Sequence, residues 1–552
     1  MNSTGLDGSG ILDSDVPSAR MSPRWEWLFV AVLAVAAVGL LVTNLGDQYL
    51  WQDEAQTALI ARTVLTHGVP LGHDGKNYFS QEGGAEYGSG YVWKWHTWLP
   101  FYVLAGFFGV FGFSTFVARL PFALFGVATV VLTYFFARSL FESRRTAMLS
   151  AAALVLSVPF LLLCRQCRYY SPAAFFPVAG LYAYLGIIRR KRYATIGFVL
   201  AAMLLFHTQW IYFVTLLAAV LVHVVFFHRE RLRAVLWAGG IASVLVAPWA
   251  VWFLGGRYGE RFGERVLNPE HVALVGASYV RQINTYVFPF LLVLVPVAVL
   301  VFRRVGGRAL LRRGWRDLLE KISLPLLFVA TTLAVLCVLS PFPFFRYLAP
   351  VIPMLAMMAG VVLEMGTSVH PVVGPVILAV LTCIVPVPAS DGVPERSHQV
   401  VLSPIWSYAY ELTHHYTGPM EGIIGYLKEH AKPGDTVAIS YGDLPVKFYT
   451  DLRVIGALTG EDLSDLPRAQ WLILRKYQVS SGMVPFQDAA KRQLAGRNYE
   501  AIPIDCPDLP YENREDPSLH HYWTVRDGSR VVIHRRKADP NRTSQAGTVG
   551  TR

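Results

Sequence analysis

Charge is scarce in this chain. Asp, Glu, Lys and Arg together make up 16% of its 552 residues, against 53% hydrophobic, and the mean hydropathy is +0.39. An ordinary soluble domain carries about a quarter charged residues, so that class is excluded, and a solvated disordered chain with it. Cysteine is scarce too. Cys164, Cys167, Cys337, Cys383 and Cys506 are too few for a disulfide framework. Cys337 and Cys383 fall inside apolar runs, and Cys164-x-x-Cys167 has no second pair to complete a structural zinc site. No small-residue cleavage site follows the first apolar run, Trp27–Leu45, which is longer than a leader's core and is expected to stay as an anchor. No internal repeat is found, which weighs against a transporter built from repeated halves.

What the chain has in abundance is long apolar runs. Stretches of about 17–25 apolar residues can cross a bilayer. The runs 27–45, 116–138, 147–164, 172–188, 194–207, 210–227, 234–254, 286–302, 322–340, 347–365 and 371–388 are expected spans. The fold class is therefore mainly α: a polytopic bundle of about eleven transmembrane helices with a small α/β domain at its C-terminal end. The formal net charge of +11 is no nucleic-acid signal, because the basic residues cluster in short loops. Arg138, Arg144 and Arg145, then Arg189–Arg192, then Arg229, Arg231 and Arg233, then Arg303–Lys321 follow alternate spans. Basic loops stay cytoplasmic. This puts the N-terminus inside and the C-terminus outside.

Two segments test that reading. Thr97–Phe113 is apolar, but a crossing there would break the alternation, so an interfacial or re-entrant helix is expected. Residues 194–227 have basic clusters at both ends and would measure about 50 Å as one helix. They are expected to form a hairpin turning at His207, Thr208 and Gln209. Residues 1–26 and 538–552 are polar and expected to be disordered. Residues 389–537 read as the extracytoplasmic α/β domain, with a helix at 422–430 and strands at 436–440, 471–474, 500–504 and 531–534.

The first outer loop, 46–115, is the richest in chemistry. Asp53 and Glu54 stand in WQDEAQ, a few residues past the first span. Partial desolvation at a membrane rim raises a carboxylate's pKa and makes it a better base. Lys94, Arg165, Arg168 and Arg346 fall at outer helix ends. Cations there either grip a lipid phosphate, Arg with a bidentate fork, or merely reach for headgroups.

The series WQDEAQTALIARTVLTHGVP, KWHTWLPFYVLAGFFGVFGFSTFVARLPFALFG and SLFESRRTAMLSAAALVLSVPFLLLCRQCRYYSP, with FFRYLAPVIPMLAMMAG later, resembles the GT-C glycosyltransferases. The branch it is most similar to contains the protein O-mannosyltransferases and the aminoarabinose transferases of lipid A. The resemblance implies transfer of a sugar from a polyprenyl-phosphate carrier to a protein, glycan or lipid acceptor on the extracytoplasmic face of a cell membrane, as in the bacterial inner membrane. It implies Asp53 as the base, with Glu54 beside it. It implies Lys94 and Arg346 on the carrier phosphate, with Arg165 or Arg168, and hydrogen bonds from His96 and Tyr347. Attack opposite the phosphate inverts the anomeric carbon. The family pattern is not kept everywhere. Gln56 stands where relatives often have Arg, Lys94 is flanked by Trp93 and Trp95, and RQCRYYS lacks the second acid many members carry. No metal ligand set is assigned, and a divalent cation is left open. A non-catalytic assembly protein or a lipid-linked-sugar transporter is the alternative.

Overall fold

A computed structural model of the chain describes residues 23–254, 268–291, 293–294, 296–297, 299, 315–340, 342–383, 404–476, 480–509, 513–517, 519–526 and 528–537. The expected disordered ends lie outside these, except for the helical residues 23–26.

The first half runs α1 (Pro23–Val42), α2 (Gln52–His67), α3 (Leu99–Phe111), α4 (Thr115–Phe141), α5 (Arg144–Val155), α6 (Val158–Cys164), α7 (Tyr170–Ile188), α8 (Ala194–Thr208), α9 (Trp210–Phe227) and α10 (Leu232–Leu254). Local chemistry sets their ends. Gly68 takes a left-handed φ of 75° and stops α2. The Ser114 hydroxyl accepts the Val117 N–H at 3.1 Å and starts α4. Pro159 has no N–H to continue the ladder from α5, and α5 and α6 bend by 62° at that break. Close packing needs small residues. A Cβ at Gly360, in the helix Ile352–Val369, would meet the Ser150 Oγ of α5 at 2.1 Å.

Among the described residues seven helices are long and apolar enough to cross a membrane, or eight if the bent α5–α6 pair is one span. These match eight of the eleven expected spans. The run 194–207 is the shorter helix α8, and 371–388 is described as the short helix Val373–Cys383. The run 286–302 opens on a π turn at Ile283–Val287 and lies partly outside the described residues. The expected count of eleven is therefore not confirmed among the described residues. The hairpin of α8 and α9 breaks at Gln209, whose backbone is extended. Thr97–Phe113 forms α3, a 13-residue helix with Phe101, Leu104, Ala105 and Phe108 buried.

The C-terminal part carries a five-stranded sheet in the order β2-β1-β3-β5-β4, with β1 (Thr436–Ile439), β2 (Arg453–Gly456), β3 (Trp471–Ile473), β4 (Tyr499–Pro507) and β5 (Arg530–Arg536). β1 pairs parallel with β2 and β3, and β5 antiparallel with β3 and β4. Sequence reading omitted β2. Its four residues, Arg453–Gly456, are too few to show an alternation. The sheet does not hang free. Asn77 donates to the Leu452 carbonyl at 3.1 Å and accepts the Val454 N–H at 2.8 Å. Gln52, in the first turn of α2, donates to Asp443 at 2.7 Å. The first long loop and the sheet domain are one packed body.

Candidate functional site

Successive residues of an α-helix point about 100° apart, so the neighbours Asp53 and Glu54 face different surroundings. Both sit in the first turn of α2, where the positive end of the helix dipole favours carboxylates.

Glu54 faces inward and is fully buried. Arg119 of α4 grips it with a fork, Nε to Oε1 at 2.8 Å and Nη2 to Oε2 at 2.7 Å. The Cys167 N–H donates to Oε1 at 2.7 Å and the Asn513 side-chain amide to Oε2 at 3.1 Å. Arg119 also donates to the carbonyls of Leu45, Gln48 and Tyr49. The pair ties the end of α1, the start of α2, α4 and the segment after β4 to one point. The oxygens of Glu54, expected beside the base, are already taken by donors of the scaffold. Breaking one member of a buried pair costs about 3–5 kcal/mol because the other charge stays behind. Glu54→Ala is therefore expected to lower stability by roughly 3 kcal/mol or more, read as a lowered unfolding temperature in detergent. An unchanged unfolding temperature would contradict a scaffold role.

Asp53 faces the other way, into a cluster of cations drawn from distant segments. Arg346, in the short 3-10 turn Phe345–Leu348, places Nη1 3.4 Å from Asp53 Oδ2. Arg168, between α6 and α7, places Nη2 3.7 Å from the same oxygen and donates Nη1 to the Asp53 carbonyl and the Thr57 hydroxyl. Gln81 donates to Oδ1 at 3.1 Å. Burial works to raise the Asp53 pKa, but Arg168, Arg346, Arg514 and the Gln81 hydrogen bond outweigh it, and the carboxyl is held below its usual range. This reverses the expected upward shift. Desolvation alone would have raised it, and the surrounding guanidinium groups turn the sign.

His96 lies within electrostatic reach of Arg168, Asp53 and Arg346, beside the Tyr169 ring at 5.7 Å. Burial first, then the two arginines, push it well below the ordinary histidine value, so the imidazole is neutral. Arg346 also contacts Glu515 Oε1 at 3.4 Å and lies over the Phe344 ring at 4.3 Å. Burial disfavours its charge, yet Tyr170, Glu515 and Asp53 hold it protonated. Tyr347 follows it in the same turn and gives its carbonyl to the Tyr212 hydroxyl at 3.1 Å.

Two expected members stand apart. Arg165 donates to the carbonyls of Leu40, Leu41, Thr43 and Asn44. It caps the C-terminal end of α1, where a cation meets the negative end of the dipole, and these carbonyls, not the Asp53 cluster, are its partners. Lys94 does not join the ion cluster. Its Nζ lies 4.8 Å over the Trp252 ring, and no carboxylate pairs with it among the described residues.

Sequence reading missed a second ring of residues around Asp53. Gln56, the departure from the family pattern, is buried and donates to the Phe79 carbonyl and to Glu86 at 3.0 Å. Glu86 is also buried and gathers the Ser80 hydroxyl and the N–H groups of Gln81 and Glu82. It shapes the turn that presents Gln81 to Asp53. Burial, unopposed by any cation, pushes Glu86 up to about 7. A raised folded-state pKa means the folded protein binds the proton more tightly. The stability it brings is full below the unfolded carboxyl value and is lost as pH rises through about 7. Glu86→Gln is expected to flatten the fall in unfolding temperature between pH 5 and 8. An identical slope in the variant would remove Glu86 as its source.

Glu515, Arg514 and Asn513 come from the connection between β4 and β5, which folds back over α2. Arg514 lies over the Trp51 ring at 4.2 Å, and Asn513 accepts from Gln166 at 3.0 Å through its carbonyl. Among the described residues no group of three or more His, Cys, Asp or Glu is arranged to hold a metal.

Residues 95–252 match the family model for dolichyl-phosphate-mannose-protein mannosyltransferases. That stretch contains His96, Arg165 and Arg168 but not Asp53, Lys94 or Arg346. No curated protein matches the chain. The structure is similar to ArnT from Cupriavidus metallidurans bound to undecaprenyl phosphate, with a TM-score of 0.54 and 14% identity over 93% of this chain and 98% of that one. The apo state of that protein gives 0.55, 15% identity and the same coverage. AglB, an archaeal oligosaccharyltransferase from Archaeoglobus fulgidus, aligns at 0.49 with 11% identity over 87% of this chain and 73% of its own. The chain thus shares its fold with ArnT over nearly its whole length, and residues 95–252 within it carry the pattern of the dolichyl-phosphate-mannose-protein mannosyltransferase family.

Proposed function

We propose that this enzyme moves a sugar from a polyprenyl-phosphate carrier to a hydroxyl of an acceptor on the extracytoplasmic face of the membrane. The observation that carries the reading is the meeting of Asp53, Arg168 and Arg346, from three distant segments of the chain, at one buried point. A carboxylate lone pair beside paired guanidinium groups is what phosphate departure and hydroxyl attack require.

The acceptor oxygen attacks the anomeric carbon while the bond from that carbon to the phosphate oxygen breaks. The electron pair leaves with the polyprenyl phosphate, and the acceptor proton goes to Asp53. Arg346 is the pivot. With no carrier bound it faces Asp53. As a phosphate draws its charge, Asp53 loses part of the attraction that depresses its pKa and becomes the stronger base. Arg168 keeps the α2 turn in place through the Asp53 carbonyl and Thr57. Neutral His96 donates or accepts a hydrogen bond without adding charge, and Tyr347 lines the same turn as Arg346. Lys94 meets the carrier phosphate farther out, above Trp252. Attack from the side opposite the phosphate inverts the anomeric carbon. A divalent cation fits the donor set poorly, because Arg346 occupies the place between Asp53 and Glu515 where a metal would need further oxygens.

The test uses purified protein in lipid nanodiscs with polyprenyl-phosphate mannose labelled in the sugar, and a hydroxyl-bearing acceptor preparation. Free polyprenyl phosphate should accumulate in step with labelled acceptor. Labelled carrier moved across a proteoliposome bilayer intact would instead establish a transporter.

A further inference from the structure

Three buried polar atoms around Arg346 have no protein partner among the described residues: Glu515 Oε2, the Tyr170 hydroxyl and Arg168 Nε. Glu515 is 4% exposed and Tyr170 fully buried. Buried polar groups are nearly always hydrogen-bonded, and all three residues interact electrostatically with the one cation Arg346. Arg346 Nη1 is 3.4 Å from both Asp53 Oδ2 and Glu515 Oε1, which keeps the two carboxylates within roughly twice that distance of each other. The Tyr170 hydroxyl lies within electrostatic reach of both Arg346 and Glu515. One oxygen of Glu515 is thus spent on Arg346 and the other has no partner among the described residues.

We infer that Glu515 and Tyr170 form a sugar-hydroxyl subsite, supplied by the β4–β5 connection and the start of α7, that reads the sugar carried by the donor. The inference rests on the glycosyl-transfer reading above and adds its specificity. The free carboxylate oxygen accepts a hydrogen bond from a sugar hydroxyl. The phenol donates to the same or a neighbouring one. A neutral, hydroxyl-bearing sugar fits better than a cationic amino sugar, because Arg168, Arg346 and Arg514 already compensate the two acids. A site built to hydrogen-bond a hydroxyl rejects the analogue lacking it far more strongly than an apolar pocket rejects a missing methylene.

Tyr170→Phe is the sharp variant. It removes a hydroxyl with no hydrogen-bond partner among the described residues, so the fold should be untouched. Glu515→Gln is the second variant and replaces the free acceptor by an amide. Equilibrium binding without acceptor compares bare polyprenyl phosphate with polyprenyl-phosphate mannose and its single-deoxy forms. The wild type should bind the mannosyl carrier more tightly than the bare one and disfavour at least one deoxy form by on the order of 10²-fold. Tyr170→Phe should bind bare polyprenyl phosphate as the wild type does, which verifies its fold, and both variants should lose most of that discrimination. An unchanged ranking of the deoxy forms in both variants, with normal transfer by the wild type, overturns the subsite and leaves the parent reading standing. A wild type that transfers no sugar overturns both. Discrimination that appears only when acceptor is added assigns the hydroxyl to the acceptor and overturns the donor assignment.

Discussion

Asp53→Asn is expected to slow sugar transfer by on the order of 10³-fold, the usual worth of a positioned base, while lowering the unfolding temperature less than Glu54→Ala does. The two halves of that expectation come from different atoms. Asn keeps the shape of the side chain and an oxygen for Gln81, but it cannot take the acceptor proton. The scaffold survives because the local structure does not hang on the lost charge. Arg168 holds α2 by the Asp53 carbonyl at 3.1 Å and the Thr57 hydroxyl at 3.0 Å, both of which remain. Arg346 keeps Glu515. The contrast with Glu54→Ala separates the roles of two adjacent acids: one variant loses chemistry with the smaller loss of stability, the other chiefly loses stability. Transfer by Asp53→Asn within tenfold of the wild type would remove Asp53 from the proton path.

Much of this arrangement was legible from the residues, and the illegible part has a physical cause. Long apolar runs and alternate basic loops are local signals, so α1, α4, α7, α9 and α10 could be placed. Asp53, Arg168 and Arg346 stood at helix ends that alternation assigned to one side, which was enough to bring them together. What composition cannot show is which donors a side chain finds. Glu54 and Arg165 looked like Asp53 and Arg168, an acid and a base at the same level. Only the packing of α4 and the end of α1 shows their groups filled by Arg119 and by backbone carbonyls. The sign of the Asp53 shift failed for the same reason, since it depends on three guanidinium groups brought from distant segments. Glu515 was out of reach altogether. It lies in a charged connection between two strands, 462 residues beyond Asp53 in the chain, and nothing local says that this connection turns back toward α2.

Removing Arg346 should be nearly as damaging as removing Asp53, with a different signature. Arg346→Gln deletes a charge that faces two buried carboxylates at once. Without it, burial is opposed at Asp53 only by Arg168, Arg514 and Gln81, and the Asp53 pKa must rise. In the wild type the carboxyl is held below its usual range, so activity needs no help from alkaline conditions and should fall only as pH drops through that depressed value. In Arg346→Gln the acid limb of the rate profile should move to higher pH. Transfer at neutral pH should fall by on the order of 10²–10³-fold, the usual cost of losing one preorganised donor to the leaving charge. Raising the pH should recover the part of the loss that comes from protonating Asp53, but not the part that comes from the missing phosphate contact. The stability linkage runs the same way. A depressed carboxyl contributes stability above its unfolded value that is lost as pH falls through the folded one, and the variant should lack that contribution at neutral pH. If the acid limb of Arg346→Gln coincided with that of the wild type, Arg346 would not set the charge state of Asp53, and its exchange between carboxylate and phosphate would have to be abandoned.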